Sequence, residues 1–153
     1  MDLQYGHVET ALATVFSVAP KGMGAFRARL RHLRNIGLPR LARPGSGRHI
    51  VYTERQALEM LLALELENHG YSAKNAAFLA QSIVRQSPYG QHRDENCYIV
   101  IKDPQSRGYI QAYGEDTLAK VLKSGFELSL VINVSAFVRK LGPALDQALE
   151  AGH

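Results

Sequence analysis

One stretch of chain constrains the fold more than any other. Phe26, Leu30 and Leu33 recur at i, i+4 and i+7, and Arg27, Arg31 and Arg34 repeat a near-identical spacing beside them. On an α-helix the second row lies about 100° round from the first. Such a helix needs other apolar elements along one side and none along the adjacent side, so the chain has to pack against it without enclosing it. The helical pattern runs over 25–36 and is stopped by Gly37, a good C′ residue, with Pro39 soon after. Ahead of it, Ala19-Pro20-Lys21-Gly22-Met23-Gly24 reads as a turn and a fresh helix start. Gly22 and Gly24 serve equally well as helix-opening residues or as points where another molecule comes close to the backbone.

The charge around that helix is lopsided. No acidic residue lies between Glu9 and Glu54, whereas Lys21, Arg27, Arg29, Arg31, Arg34, Arg40, Arg43 and Arg48 do, with His32 and His49. The chain carries 18 Lys+Arg and 14 Asp+Glu for a net +4, so everything outside this interval is net acidic. A concentrated cationic surface suits a polyanion, because phosphate contacts release counterions and supply most of the nonspecific affinity. A solvated basic helix is the plainer alternative.

The remaining segments divide by period. Over 8–18, Leu12, Val15 and Phe16 mark a short amphipathic helix. Residues 41–52 place apolar stretches on either side of Pro44-Gly45-Ser46-Gly47, a small β-hairpin with a basic tip. Thr53 and Gln56 have the spacing of a capping box, opening a Leu-rich helix with Leu58, Leu61 and Leu62 that closes at Asn68-His69-Gly70. Ser72 caps a further helix with Ala76, Leu79, Ala80 and Ile83 inward, reaching about residue 85. The polar, breaker-rich stretch 87–96 reads as a boundary.

Beyond it the texture changes. Residues 97–102 and 109–113 have the β-propensity of strands, joined by a turn around Asp103-Pro104. Leu118, Val121 and Leu122 mark a short helix ending near Gly125, then 128–132 a third strand and 136–149 a last helix. Pro143 is expected to kink or split that helix. The order is ββαβα. The expected fold class is therefore α+β, with one unit over 1–88 and a second over 96–153.

Within 8–85 the order of elements resembles the winged helix-turn-helix DNA-binding domain of the MerR family and the related excisionase-like winged helices. The matching residues are the Val18-Ala19-Pro20 turn, Ile36-Gly37-Leu38 after the basic helix, the Gly45-Ser46-Gly47-Arg48 wing with Tyr52-Thr53 at its exit, and Gly70-Tyr71-Ser72. About half of the chain is covered. The stretch from Pro20 to Gly37 is about two turns longer than in the family, and Gly47-Arg48-His49-Ile50 only approximates its wing sequence. The long dimerisation helix of the family is replaced by the ββαβα unit, so dimer geometry does not carry over. A single cysteine, Cys97, also leaves out the family's metal sensing.

The resemblance implies a partner and roles. In a helix-turn-helix the second helix enters the major groove N-terminus first. Lys21 and Arg27 would meet phosphate or guanine there, and Met23 a thymine methyl. Arg31 and Arg34 would meet phosphates farther along, and Arg43, Arg48 and His49 on the wing would grip the backbone or minor groove. Arg29 lies about 160° round from Arg31 and cannot share its groove; bonding within the protein is its natural role. The expectation is a transcriptional regulator that binds double-stranded DNA as a homodimer at an inverted repeat. The C-terminal unit, only about 58 residues long, would pair the copies, being small to stand alone. An excisionase-like or architectural DNA binder, and a protein-interaction adaptor using the basic face on an acidic partner, are the alternatives.

Other chemistry finds little footing. The six histidines lack metal-ligand spacing, and no nucleophile elbow or phosphate-binding loop occurs. His92-Arg93-Asp94 echoes a kinase loop without the rest of a kinase. No enzyme, metal or cofactor is expected. Tyr98, Tyr109 and Tyr113 alternate along strands, where they pack a sheet or dimer seam or else line a small-molecule effector site. With no signal-like N-terminus, no long apolar run and one cysteine, the expected location is cytoplasmic and nucleoid-associated, with no membrane partner.

Overall fold

The computed structural model describes residues 3–40, 50–86, 96–103, 107–124 and 129–151. Helix α1 (Tyr5–Val15) is followed by a single 3-10 turn, Pro20–Gly22, that leads straight into α2 (Met23–Asn35). Then come α3 (Glu54–Asn68), α4 (Ala73–Gln86), β1 (Cys97–Ile101), β2 (Ile110–Tyr113), α5 (Gly114–Lys123), β3 (Leu130–Asn133) and α6 (Val134–Ala151). The protein is α+β: six helices and one three-stranded antiparallel sheet among the described residues, with β1 in the middle of the order β2-β1-β3.

The core is built around α3. Eight of its 15 residues are buried, among them Leu58, Met60, Leu61, Leu62, Leu64 and Leu66, so it is covered on nearly every side. Thr53 and Gln56 form the expected capping box, with the Gln56 backbone N–H bonded to Thr53 Oγ1 at 3.2 Å and the Thr53 N–H to Gln56 Oε1 at 2.9 Å. Helix α4 packs along α3, while α6 packs chiefly on α1 and also on α3 and β1. The first and last helices are thus neighbours. Ile99, Ile101, Ile132, Leu141 and Leu145 share one apolar cluster with Leu12, Leu30 and Leu61. The boundary expected over 87–96 lies, apart from Asn96, outside the described residues.

Three helices end by one device. In a Schellman cap the C′ residue turns left-handed and the C″ residue sends its N–H back to C3 while its side chain meets the core. At α2 this is Gly37 (φ +92°), with Leu38 N–H bonded to Leu33 O at 3.0 Å. At α3 it is Gly70 (φ +88°), with Tyr71 N–H on Leu66 O at 3.1 Å. At α1 it is Ser17 (φ +51°), with Val18 N–H on Ala13 O at 2.9 Å. This corrects the expected span of the first helix: it begins at Tyr5 and stops at Val15. Val18 does pack against the core, but as the C″ residue of the cap. An apolar period cannot tell that contact from one more helical turn.

Two other expectations change. Helix α6 runs unbroken through Pro143, held to the core on both sides of it by Leu141, Ala144, Leu145 and Ala148, so it is not split. Residues 41–49 of the hairpin expected over 41–52 lie outside the described residues. Its last residues are visible, and Tyr52 forms an isolated antiparallel bridge with Leu3 through bonds of 2.9 and 2.7 Å. The third strand is shifted towards the C-terminus, to Leu130–Asn133. No helix among the described residues is long and apolar enough to cross a membrane.

Candidate nucleic-acid interface

Helix α2 buries one row and exposes the side opposite it, with Met23, Arg29 and Arg34 half-buried. Phe26, Leu30 and Leu33 face the core, with the Phe26 ring 6.3 Å from that of Phe16. Gly24, Arg27, Ala28, Arg31 and Asn35 are exposed, and on an α-helix they occupy a sector about 100° wide. Gly24 and Ala28 are too small to hold another surface away from the cations beside them. No acidic residue lies on this helix.

The cations of α2 differ in what they touch. Arg27 Nε lies 2.6 Å from Glu9 Oε1 on α1; that hydrogen bond, and then the carboxylate's charge, hold the guanidinium above its ordinary pKa. Arg27 is nonetheless 57% exposed, so the pair reaches solvent. Arg29 turns to α3, meeting Glu67 Oε2 and the Leu64 carbonyl, both at 3.1 Å, as its position opposite Arg31 required. Arg34 is half-buried and its guanidinium stacks on the Tyr5 ring at 4.6 Å from the centroid. Burial pushes the Tyr5 hydroxyl pKa up, with the Glu9 charge adding to it and Arg34 opposing. Arg31, exposed, has no hydrogen bond or ion pair among the described residues, and neither does Lys21 in the turn before α2.

The expected contact residues are therefore unequal. Lys21, Arg27 and Arg31 are exposed. Met23 is half-buried and packs against the core. Arg34 is engaged with Tyr5. Arg43, Arg48 and His49 lie outside the described residues.

A second cationic surface was not singled out in the sequence. A cleft of about 600 Å³ between α3, α4 and the turn at Arg40 is lined by Arg40, Arg55 and Arg85 together with Gln56, Glu59 and Phe78. Arg55 sends its guanidinium to the end of α4, reaching the Val84 carbonyl at 2.6 Å and the Arg85 carbonyl at 3.2 Å. Glu59 is half-buried and accepts the Arg40 backbone N–H at 3.3 Å. Burial raises its pKa above the usual carboxylate value, against the Arg40 N–H bond and the charges of Arg55 and Arg40. Phe78 is 45% exposed. Its position in the sequence held the signal: it falls about 150° from the centre of the α4 row Ala76, Leu79, Ala80, Ile83.

The strand tyrosines do not all converge: Tyr109 and Tyr113 lie close enough to act on one another, and Tyr98 stands apart. In the sheet register Cys97 pairs with Tyr113 and Tyr98 with Ala112, so Tyr98 and Tyr113 point to opposite faces. Tyr98 OH bonds Glu115 at 2.7 Å, and bonds from Asn96 and Tyr98 hold that carboxyl below its ordinary pKa. Tyr109 OH bonds Gln86 at 2.9 Å and so ties the sheet side to α4. No protein-family model and no curated protein matches the chain.

Proposed function

We propose that the protein is a transcriptional regulator that binds double-stranded DNA sequence-specifically through α2, as a homodimer on an inverted repeat, in the cytoplasm at the nucleoid. The observation that carries this reading is the exposed row on α2. Arg27 and Arg31 stand beside Gly24 and Ala28 on a helix without an acidic residue, and its opposite side is fixed by the core. A guanidinium at such a place can bond guanine O6 and N7 together or grip a phosphate. The helix follows a Pro-Gly turn after α1, the arrangement of a helix-turn-helix, and the resemblance of 8–85 to MerR-type winged helices adds to it. Within this reading Lys21 and Arg31 act first, Arg27 shares its charge with Glu9, and Met23 and Arg34 support the helix from behind.

The test is recovery of genomic DNA bound to the full chain, followed by titration of the recovered site at several salt concentrations. A palindromic motif, with log K falling against log salt at a slope near −5 for about six phosphates, is expected. Diffuse recovery with purely salt-driven affinity would overturn the regulator in favour of an excisionase-like or architectural binder. No recovery would leave the adaptor. Light scattering showing only a 17 kDa species would remove the dimer.

A further inference from the structure

We propose that the cleft between α3, α4 and Arg40 binds a small planar aromatic anion. Its volume of about 600 Å³ falls inside the range of small-molecule sites, roughly 300–1,000 Å³. A second hollow of about 460 Å³, reaching to Asn35 and Ile36 at the end of α2, shares Phe78 and Gln81 with it. Phe78 therefore lines two adjoining hollows, and it is one of the few large apolar side chains left substantially in water.

The chemistry of the lining selects the ligand. The Arg107 guanidinium stacks over the Phe78 ring at 4.8 Å, so the ring is already held flat by a cation. An aromatic ligand laid against the face of Phe78 that Arg107 leaves open covers apolar surface that water now touches. Three arginines line the main cleft against a single acid, Glu59, which is itself held by the Arg40 N–H. The guanidinium groups of Arg40 and Arg85 have no ion pair or hydrogen bond among the described residues. An anionic group placed at either of them would replace water with charge-assisted hydrogen bonds. Gln56 and Ser82 add polar groups along the wall. A bare inorganic anion would leave Phe78 in water, and a neutral aromatic would leave the arginines without a partner; one molecule with both parts satisfies both.

The site does not depend on DNA binding, and its test reads binding alone. Isothermal titration of the full chain would use 1-naphthoate as probe, with 1-naphthalenemethanol and inorganic phosphate as the uncharged and non-aromatic counterparts. One-to-one saturable binding of 1-naphthoate is expected, with both counterparts at least tenfold weaker. Phe78→Ala and Arg85→Gln, both at exposed positions, should each weaken 1-naphthoate about tenfold while circular dichroism confirms the fold. The proposal is overturned if 1-naphthoate gives no saturable heat, or if neither variant changes its affinity. Phosphate binding as tightly as 1-naphthoate would overturn the aromatic class.

Discussion

The row of cations on α2 and the cations around Phe78 are alike in charge and opposite in legibility. On α2 the arginines announce themselves by their spacing, yet Arg27, Arg29 and Arg34 are each engaged by another part of the protein, at Glu9, Glu67 and Tyr5. Around Phe78 nothing in the spacing gathers Arg40, Arg55 and Arg85, yet the guanidinium groups of Arg40 and Arg85 make no hydrogen bond or ion pair among the described residues, Arg40 acting on Glu59 through its charge alone. A count of cations along a helix measures how much charge is there. Only the partners across the fold show how much of it is open to another molecule.

Four experiments bear on that contrast. The largest effect is expected at Arg31. Arg31→Ala should cost about tenfold in duplex affinity, about 1.4 kcal/mol, and make the salt slope shallower by about 1, with the melting temperature unchanged. Arg34→Ala should do the reverse, lowering stability through the lost stack on Tyr5 while leaving the salt slope alone. Equal affinity losses for the two would erase the distinction between open and engaged arginines.

Next in size are the bends that set α2 in place. Ser17→Gly should stabilise the fold by about 1 kcal/mol, because a side chain at left-handed φ is strained. Gly37→Ala should destabilise it by about the same amount, even though no atom lies within 4 Å of the added methyl. Chemical denaturation of the two variants measures both signs. A smaller change is expected from Glu9→Gln, which removes the carboxylate from Arg27: duplex affinity should rise about threefold, by roughly one added charge at low salt. Unchanged affinity would take Arg27 out of the interface.

The least conspicuous effect concerns Glu59 in the cleft. Its folded pKa is raised by burial above the ordinary value of 4.5. A carboxyl shifted upward lends stability at pH below its unfolded value, and that contribution is lost as pH rises through its folded value. Wild-type stability should therefore decline over that weakly acidic window, and Glu59→Gln should flatten the decline. A wild-type profile identical to that of the variant would mean that the carboxyl is not penalised.

Much of the fold was legible because it is local. The Thr53–Gln56 capping box, the stops at Gly37 and Gly70 and the inward row of α2 each depend on residues within one or two turns. The ββαβα order was legible from β-propensity and the Leu118–Leu122 period for the same reason. The end of α1 was misread since Ser17 lacks the glycine that usually marks a left-handed cap. Of the kink or split expected at Pro143 the split does not occur: a sequence shows the missing N–H and not the core contacts that hold α6 on both sides.

By itself the sequence determined the order of the helices and strands, though not the ends of α1 or the register of β3 along the chain, and it determined that α2 must expose a basic side and that Arg29 and Arg31 must part company. Those follow from 3.6 residues per turn and from capping chemistry, which act over a few residues. The tertiary structure decided the rest: that α6 returns to pack on α1, that Glu9 meets Arg27 and Glu67 meets Arg29, and that Phe78 stands among arginines. Each of these joins elements far apart along the chain, and hydrophobic periodicity carries no information about which surface a helix will meet.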